Sequence, residues 1–287
     1  DHPPMVGWLL WLLTRAGHDA GIIRSATVLL TPLIAWGVVK TVQLLESPRA
    51  SAPSATAWLA GAAYLSLPVS WYFVFVTTDT PLVFFMAVSC YAFVRALKQD
   101  SLTWLFAAGL LLGLAFMSKY FAALLGFAMG WAVLWRPRRW TYALVLIAGT
   151  LPGVLLNLWT NAHYCWSNVM FNLVNRHEDA HLGWQTVATY LGMMVYLIGP
   201  WVLWSLYAQR GFLRGLTATQ KPVLALLGVP FVLFLVISLK KTIGLHWVLG
   251  FLPIAFVLLA LCTQGVWMRR YIGFNAVLSI PHLVLFG

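Results

Sequence analysis

The chain has 287 residues, of which 61% are hydrophobic and 9% charged, and its mean hydropathy is +0.84. Soluble domains carry about 25% charged residues, so this composition excludes a soluble globular fold and describes an integral membrane protein. A net charge of +11 would suit a nucleic-acid binder, but the basic residues sit in short loops between apolar runs, where they orient a membrane protein; no nucleic-acid partner is expected.

In chain order, Asp1-His2-Pro3-Pro4 opens inside what reads as a loop, without a signal peptide. The expectation is one transmembrane domain over residues 1–287, N-terminally truncated and missing its first span. Met5–Leu13 is too short to cross a bilayer. It is rich in Leu and Trp and flanked by Arg15, His18 and Asp19, which predicts an interfacial helix. About 20 mostly apolar residues make a spanning helix. Such runs follow at 21–44, 56–76, 80–97, 102–118, 120–135, 140–158, 185–208, 222–239, 243–262 and 271–286. The fold class is therefore all-α, a polytopic transmembrane helix bundle of about ten spans. Sixteen Trp suit aromatic belts at both interfaces. Three scattered Cys (Cys90, Cys165, Cys262) give neither a disulfide framework nor a metal knuckle.

The loops alternate in charge. Lys40, Arg49, Arg95, Lys98, Arg136, Arg138, Arg139, Arg210, Arg214, Lys221, Arg269 and Arg270 fall on one side, twelve of the eighteen Lys and Arg. That side is expected to be cytoplasmic. Asp1, Asp19, Asp79, Glu178 and Asp179 fall on the other, with six of the seven His. Acid/base chemistry thus gathers on the extracytoplasmic face, where an active site is expected.

Four stretches carry it. Asp79, in Thr77-Thr78-Asp79-Thr80-Pro81, stands at a membrane boundary; it reads as a helix N-cap or as a residue aimed at a ligand, and the two roles are compatible. Asp1 and His2 precede a rigid Pro pair, as site residues or as a helix lead-in. The polar stretch 157–184 reads as a loop. It holds Asn161, His163, Arg176, His177 and His181. His177 and His181 are four apart and could share a divalent metal, although the order of residues is not that of the zinc proteases; Arg176 favours an anion or a sugar, and a solvated loop is the alternative. Lys240 and Lys241, with His246 near them, put two cations and a His on the outer face, against the orientation rule, as a phosphate site would require or as snorkelling side chains. Lys119 reads as snorkelling, with a phosphate contact as the alternative.

Segments 1–8, 78–82, 109–120, 157–163 and 246–247 together resemble, in order, the GT-C glycosyltransferases of the dolichyl-phosphate-mannose protein mannosyltransferase and aminoarabinose lipid A transferase (PMT-like) superfamily. The resemblance implies a GT-C bundle and an inverting transferase in the bacterial inner membrane. The enzyme would move a sugar from a polyprenyl-phosphate donor to a lipid, glycan or protein acceptor outside the cytoplasm. It implies an Asp-Glu motif carrying the catalytic base upstream of Asp1. Asp79 matches the family's second Asp, and Asp1 the acid before the Pro pair, where the lipid A branch has Glu then Lys and this chain has His2. It also implies a phosphate-binding role for Lys240 or Lys241 and a metal-associated role for His177 or His181. The competing classes are a transporter or flippase, which would place charges near mid-bilayer on broken helices, and a non-catalytic binder of polyprenyl phosphate.

Overall fold

The computed structural model describes residues 3–46, 52–70, 77–173, 183–199, 204, 207–208, 216–218, 220–262 and 265–286. Every regular element among them is a helix: α1 Met5–Ala16, α2 Ala20–Glu46, α3 Ala55–Leu65, α4 Asp79–Gln99, α5 Leu102–Phe116, α6 Ala122–Leu134, α7 Arg139–His163, α8 Ser167–Leu173, α9 Trp184–Ile198, α10 Lys221–Ser238, α11 Leu245–Val248, a 3₁₀ turn Leu249–Phe251, α12 Leu252–Cys262 and α13 Gly265–Phe286. Five stretches are long and apolar enough to cross a membrane: α2, α4, α7, α10 and the run Leu245–Cys262. The expected ten spans are thus only partly present as full-length helices among the described residues. α3, α5 and α6 are apolar but have 11, 15 and 13 residues. At 1.5 Å per residue they fall short of a ~30 Å hydrocarbon core.

Local chemistry sets the helix ends. Ser54 caps α3, its Oγ accepting from the Ala57 amide at 3.0 Å. α4 stops at Asp100, which enters the left-handed region (φ 51°), and Ser101 then caps α5 by accepting from the Trp104 amide. α1 has no fully buried residue and presents Trp8, Trp11 and Leu12 outward, which fits the interfacial helix expected. Its first amide is tied to the bundle, donating from Met5 to the Met117 carbonyl at 3.1 Å.

Apolar side chains gain little by leaving lipid for one another, so close backbone approach matters more in a membrane bundle. α5 and α7 meet through facing small-residue stripes, Gly109/Gly113 on one and Gly149/Gly153 on the other. A Cβ on Gly109 would stand 2.3 Å from the Leu146 carbonyl oxygen, and one on Gly149 equally close to that of Phe106. Ser89 Oγ ties α4 to α5 by donating to the Ala108 carbonyl at 2.8 Å. Elsewhere Gly61 of α3 lies against the backbone of Ala35 in α2, and Gly250 against Met86 of α4. Phe93, Phe234, Phe251, Tyr64 and Tyr271 fill the remaining core.

These contacts leave two polar ends. At one, Arg138 pairs with Asp100 at 3.5 Å, the Tyr142 hydroxyl donates to Asp100, and Ser54 donates to Glu46. The other holds the start of α4, the turn between α5 and α6, the end of α7 and the start of α11.

Candidate active site

The turn Met117–Phe121 is the hub of that second end. Lys119 is not a snorkelling residue. Its ammonium donates to both Asp79 carboxylate oxygens, at 2.9 and 3.1 Å, and the two side chains are 5% and 9% exposed. Burying both charges is tolerable because each neutralises the other. Asp79 does not cap α4. It is the first helical residue, Thr78 stands at the N-cap position, and the Thr77 hydroxyl accepts from the Asp79 amide at 3.2 Å. The carboxylate is thereby left to Lys119, while Pro81 fits the first turn, where no backbone donor is needed.

Beside Lys119, the Tyr120 hydroxyl joins three amides. It donates to Asn157 Oδ1 at 3.3 Å and accepts from Asn161 Nδ2 at 3.3 Å and Asn168 Nδ2 at 2.8 Å. Asn161 Nδ2 also reaches the Asn157 side-chain and backbone oxygens at 3.0 and 2.9 Å. Asn157 Nδ2 is buried with no hydrogen-bond partner among the described residues. An orphan donor of that kind is uncommon in a native fold and calls for an explanation.

This cluster corrects the expected loop over 157–184 as far as residue 173; residues 174–182 lie outside the described residues. Asn157 and Asn161 lie in the last turns of α7, and Ser167–Leu173 is helical again. The elbow between α7 and α8 turns on Cys165 and Trp166, both left-handed at φ 53° and 56°. The Asn161 carbonyl holds it, accepting from the Tyr164 and Trp166 amides at 3.1 and 2.9 Å.

On the other flank of Lys119, Phe121 stacks on Trp247 with ring centroids 4.5 Å apart, and the ammonium lies 5.9 Å from the Phe121 ring. That brings the start of α11, with His246, to the same end of the bundle. Lys240 and Lys241 follow the end of α10. There the Gly183 amide donates to the Leu239 carbonyl at 3.2 Å, so the segment entering α9 adjoins the two lysines.

The expected site residues therefore divide. Asp79 and Asn161 are buried in the cluster; Lys240 and His246 are exposed, and Lys241 is half-buried. His163 is exposed and turned back on α7, its Nδ1 2.8 Å from the Trp159 carbonyl and its ring against that indole. Asp1, His2, Arg176, His177 and His181 lie outside the described residues, although Pro3 is buried and Met5 is bonded to Met117. The metal expectation rests on His177 and His181. Among the described residues no group of three His, Cys, Asp or Glu gathers to hold an ion. Lys119, for which a phosphate contact is the alternative to snorkelling, enters the site together with Tyr120 and Asn157, which the candidate residues omit. The signal for Lys119 and Tyr120 is the polar triplet Ser118-Lys119-Tyr120 between two apolar runs, on the same side as Asp79.

An apolar groove of about 880 Å³ starts at this end, beside Phe116 and Ala122, and runs between α6, α7 and α10 past Gly126, Ile147 and Leu233. The arrangement can bind an amphiphile, with its polar group at the cluster and its chain in the groove.

Spanning helices packed through glycines, with buried ionic and amide groups at one end, define a multi-pass membrane protein with a polar site at a membrane boundary. Residues 1–166 match the model of the dolichyl-phosphate-mannose-protein mannosyltransferases, and the chain belongs to that family of PMT-like GT-C glycosyltransferases. It is 30% identical over 260 residues to the lipid A galacturonosyltransferase RgtD of Rhizobium johnstonii, which covers 84% of this chain and 51% of that protein. Its fold is that of ArnT from Cupriavidus metallidurans. The apo structure superposes with a TM-score of 0.64 at 18% identity, over 96% of this chain and 51% of ArnT. The structure of ArnT bound to undecaprenyl phosphate gives 0.62 at 19%, over 96% and 52%. The chain thus spans about half the length of the relatives it matches.

Proposed function

We propose that this chain forms a membrane-embedded part of a glycosyltransferase. The enzyme takes a sugar from a polyprenyl-phosphate donor and passes it, with inversion, to a lipid acceptor at the extracytoplasmic face. The buried Asp79–Lys119 pair carries this reading. A buried cation placed at a helix end, at the mouth of an apolar groove, suits a phosphate whose chain lies in the membrane. Family membership and the undecaprenyl phosphate bound to ArnT support the donor class. The lipid A acceptor named for RgtD supports a lipid acceptor. The charge balance of the loops supports the outward orientation.

In this reading the bond between the sugar's anomeric carbon and the donor phosphate oxygen breaks as an acceptor hydroxyl attacks the opposite face. The phosphate leaves as an anion, steadied by Lys119 and by Lys240 at the rim. The hydroxyl proton passes to a carboxylate. Asp79 has both oxygens occupied by Lys119 and serves to position that ammonium. The proton therefore goes to Asp1 or to an acid brought up beside it. The Asn157 amide offers a buried donor for a substrate oxygen. A transporter would set its charges at broken mid-membrane helices, whereas Asp79 and Lys119 stand at helix ends.

The test is transfer of labelled sugar from a polyprenyl-phosphate donor in membranes containing the full-length protein, against Asp79→Asn and Lys119→Met variants at matched expression. Turnover by the wild type with loss in both variants supports the reading. Turnover that survives both removes the pair from the site. Donor binding without sugar release, in the wild type as in the variants, makes the protein a binder of the lipid phosphate.

A further inference from the structure

A second cavity, of about 810 Å³, opens between α6 and α10 at the end of the bundle away from Asp79. It adjoins the apolar groove at Trp131, Val229 and Leu233, yet its chemistry differs. Arg136 and Lys221 line it, with Trp131, Trp135 and a row of apolar side chains from α10, and among the described residues no acid lines it.

Of the basic residues in the turn 136–139, Arg138 pairs with Asp100 and Arg139 lies 5.8 Å over Trp140. Arg136 instead lines the cavity. Its Nη2 is buried and has no hydrogen-bond partner among the described residues. Lys221 is the first residue of an 18-residue helix whose first turn carries no acid, so the positive end of the helix dipole adds to its charge. Trp131 and Trp135 meet edge to face at 6.0 Å, and both are more than half exposed. That is how aromatic side chains sit at headgroup depth.

We infer that this cavity binds an anionic phospholipid, with its phosphodiester between Arg136 and Lys221 and an acyl chain along Trp131, Leu224 and Val232. A small water-soluble anion would leave the apolar wall wet, and a neutral lipid would leave the paired charges of Arg136 and Lys221 without a counter-charge. The donor phosphate is the other lipid with this chemistry, but its proposed place is at Lys119, beyond the opposite end of α6. Thirteen residues of helix put about 20 Å between the two ends. The inference does not rest on the transferase reading.

The test uses the purified full-length protein in a neutral detergent. Phosphatidylglycerol or phosphatidylcholine with identical acyl chains is added, and thermal unfolding and lipid adducts in native mass spectrometry are followed. Phosphatidylglycerol is expected to raise the melting temperature more than phosphatidylcholine and to remain bound. Each of Arg136→Gln and Lys221→Gln is expected to weaken phosphatidylglycerol about fivefold while leaving the phosphatidylcholine response alone. Arg136→Lys combined with Lys221→Arg keeps both charges and is expected to keep the preference; Arg138→Gln, which removes a neighbouring cation outside the cavity, is expected to keep it too. Equal responses to the two lipids overturn the inference. So does a preference that survives the double Gln variant, and so does displacement of phosphatidylglycerol by undecaprenyl phosphate, which would make the cavity part of the donor site.

Discussion

Lys119 reaches across 40 positions of chain to hold both carboxylate oxygens of Asp79, at 2.9 and 3.1 Å, inside the bundle. Neither residue can be changed alone without stranding a charge. Asp79→Asn leaves a buried ammonium and Lys119→Met a buried carboxylate, each expected to cost about 3–5 kcal/mol. Replacing both removes the charges together and is expected to cost less than either single change. Thermal unfolding of the four proteins in one detergent checks this as a double-mutant cycle. Additive losses would mean that the pair is not coupled.

The amide cluster makes a separate forecast. Tyr120→Phe deletes the oxygen that accepts from Asn161 and Asn168. Buried donors left without that acceptor are expected to cost about 1–3 kcal/mol. The loss should concentrate at the α7–α8 elbow, because Asn168 is bonded there across 48 positions of chain. Hydrogen exchange of the Tyr164–Met170 amides is the sensitive measurement. Faster exchange at the elbow, with α2 and α3 unchanged, is the expected pattern.

The glycine seam can be tested by contrast. A Cβ on Gly153 would lie 2.6 Å from the Gly113 carbonyl, whereas one on Gly192 of α9 meets nothing within 4 Å. Gly153→Ala is expected to destabilise by about 1–3 kcal/mol through overpacking. Gly192→Ala is expected to be neutral or to stabilise by up to about 1 kcal/mol, through helix propensity and a smaller unfolded-state entropy. A lowered melting temperature for Gly153→Ala, with an unchanged or raised one for Gly192→Ala, would bear this out.

Lys240 is exposed after the end of α10. If it steadies the donor phosphate, Lys240→Gln should raise the donor KM several-fold with little change in kcat. Lys240→Arg should retain activity, and the wild type should lose its advantage as salt rises. A change in kcat alone would assign Lys240 to something other than ground-state donor binding.

Asp79 could be picked from the sequence because a charge at a membrane boundary is costly and stood beside Pro81. Its partner could not be read, because the pairing depends on how α4 packs against α5 and on where the turn after Phe116 falls. Without that geometry, a lone Lys between apolar runs looks like a side chain reaching for the interface. The stretch from Asn157 to His163 looked like loop because Asn, Thr and His favour turns in isolation. It is helix because α7 is held to α5 along its length, and its polar side chains bond across to Tyr120. The helix Met5–Ala16 and the family resemblance were legible because each rests on local order along the chain. The separation of full-length spans from short apolar helices was not, since hydropathy reports what lipid tolerates and says little about where a helix stops.

The glycine faces of α5 and α7 also act as a height gauge. With backbone lying on backbone, sliding α7 by one turn would drive the Val145 or Asn157 side chain into α5, so one register is admitted. The turn bearing Lys119 leaves the end of α5, and Asn157 and Asn161 ride on α7. Their levels in the bilayer are therefore set relative to each other by the seam. A thicker or thinner membrane can tilt the two helices only as one plate, and the polar cluster travels with them undistorted.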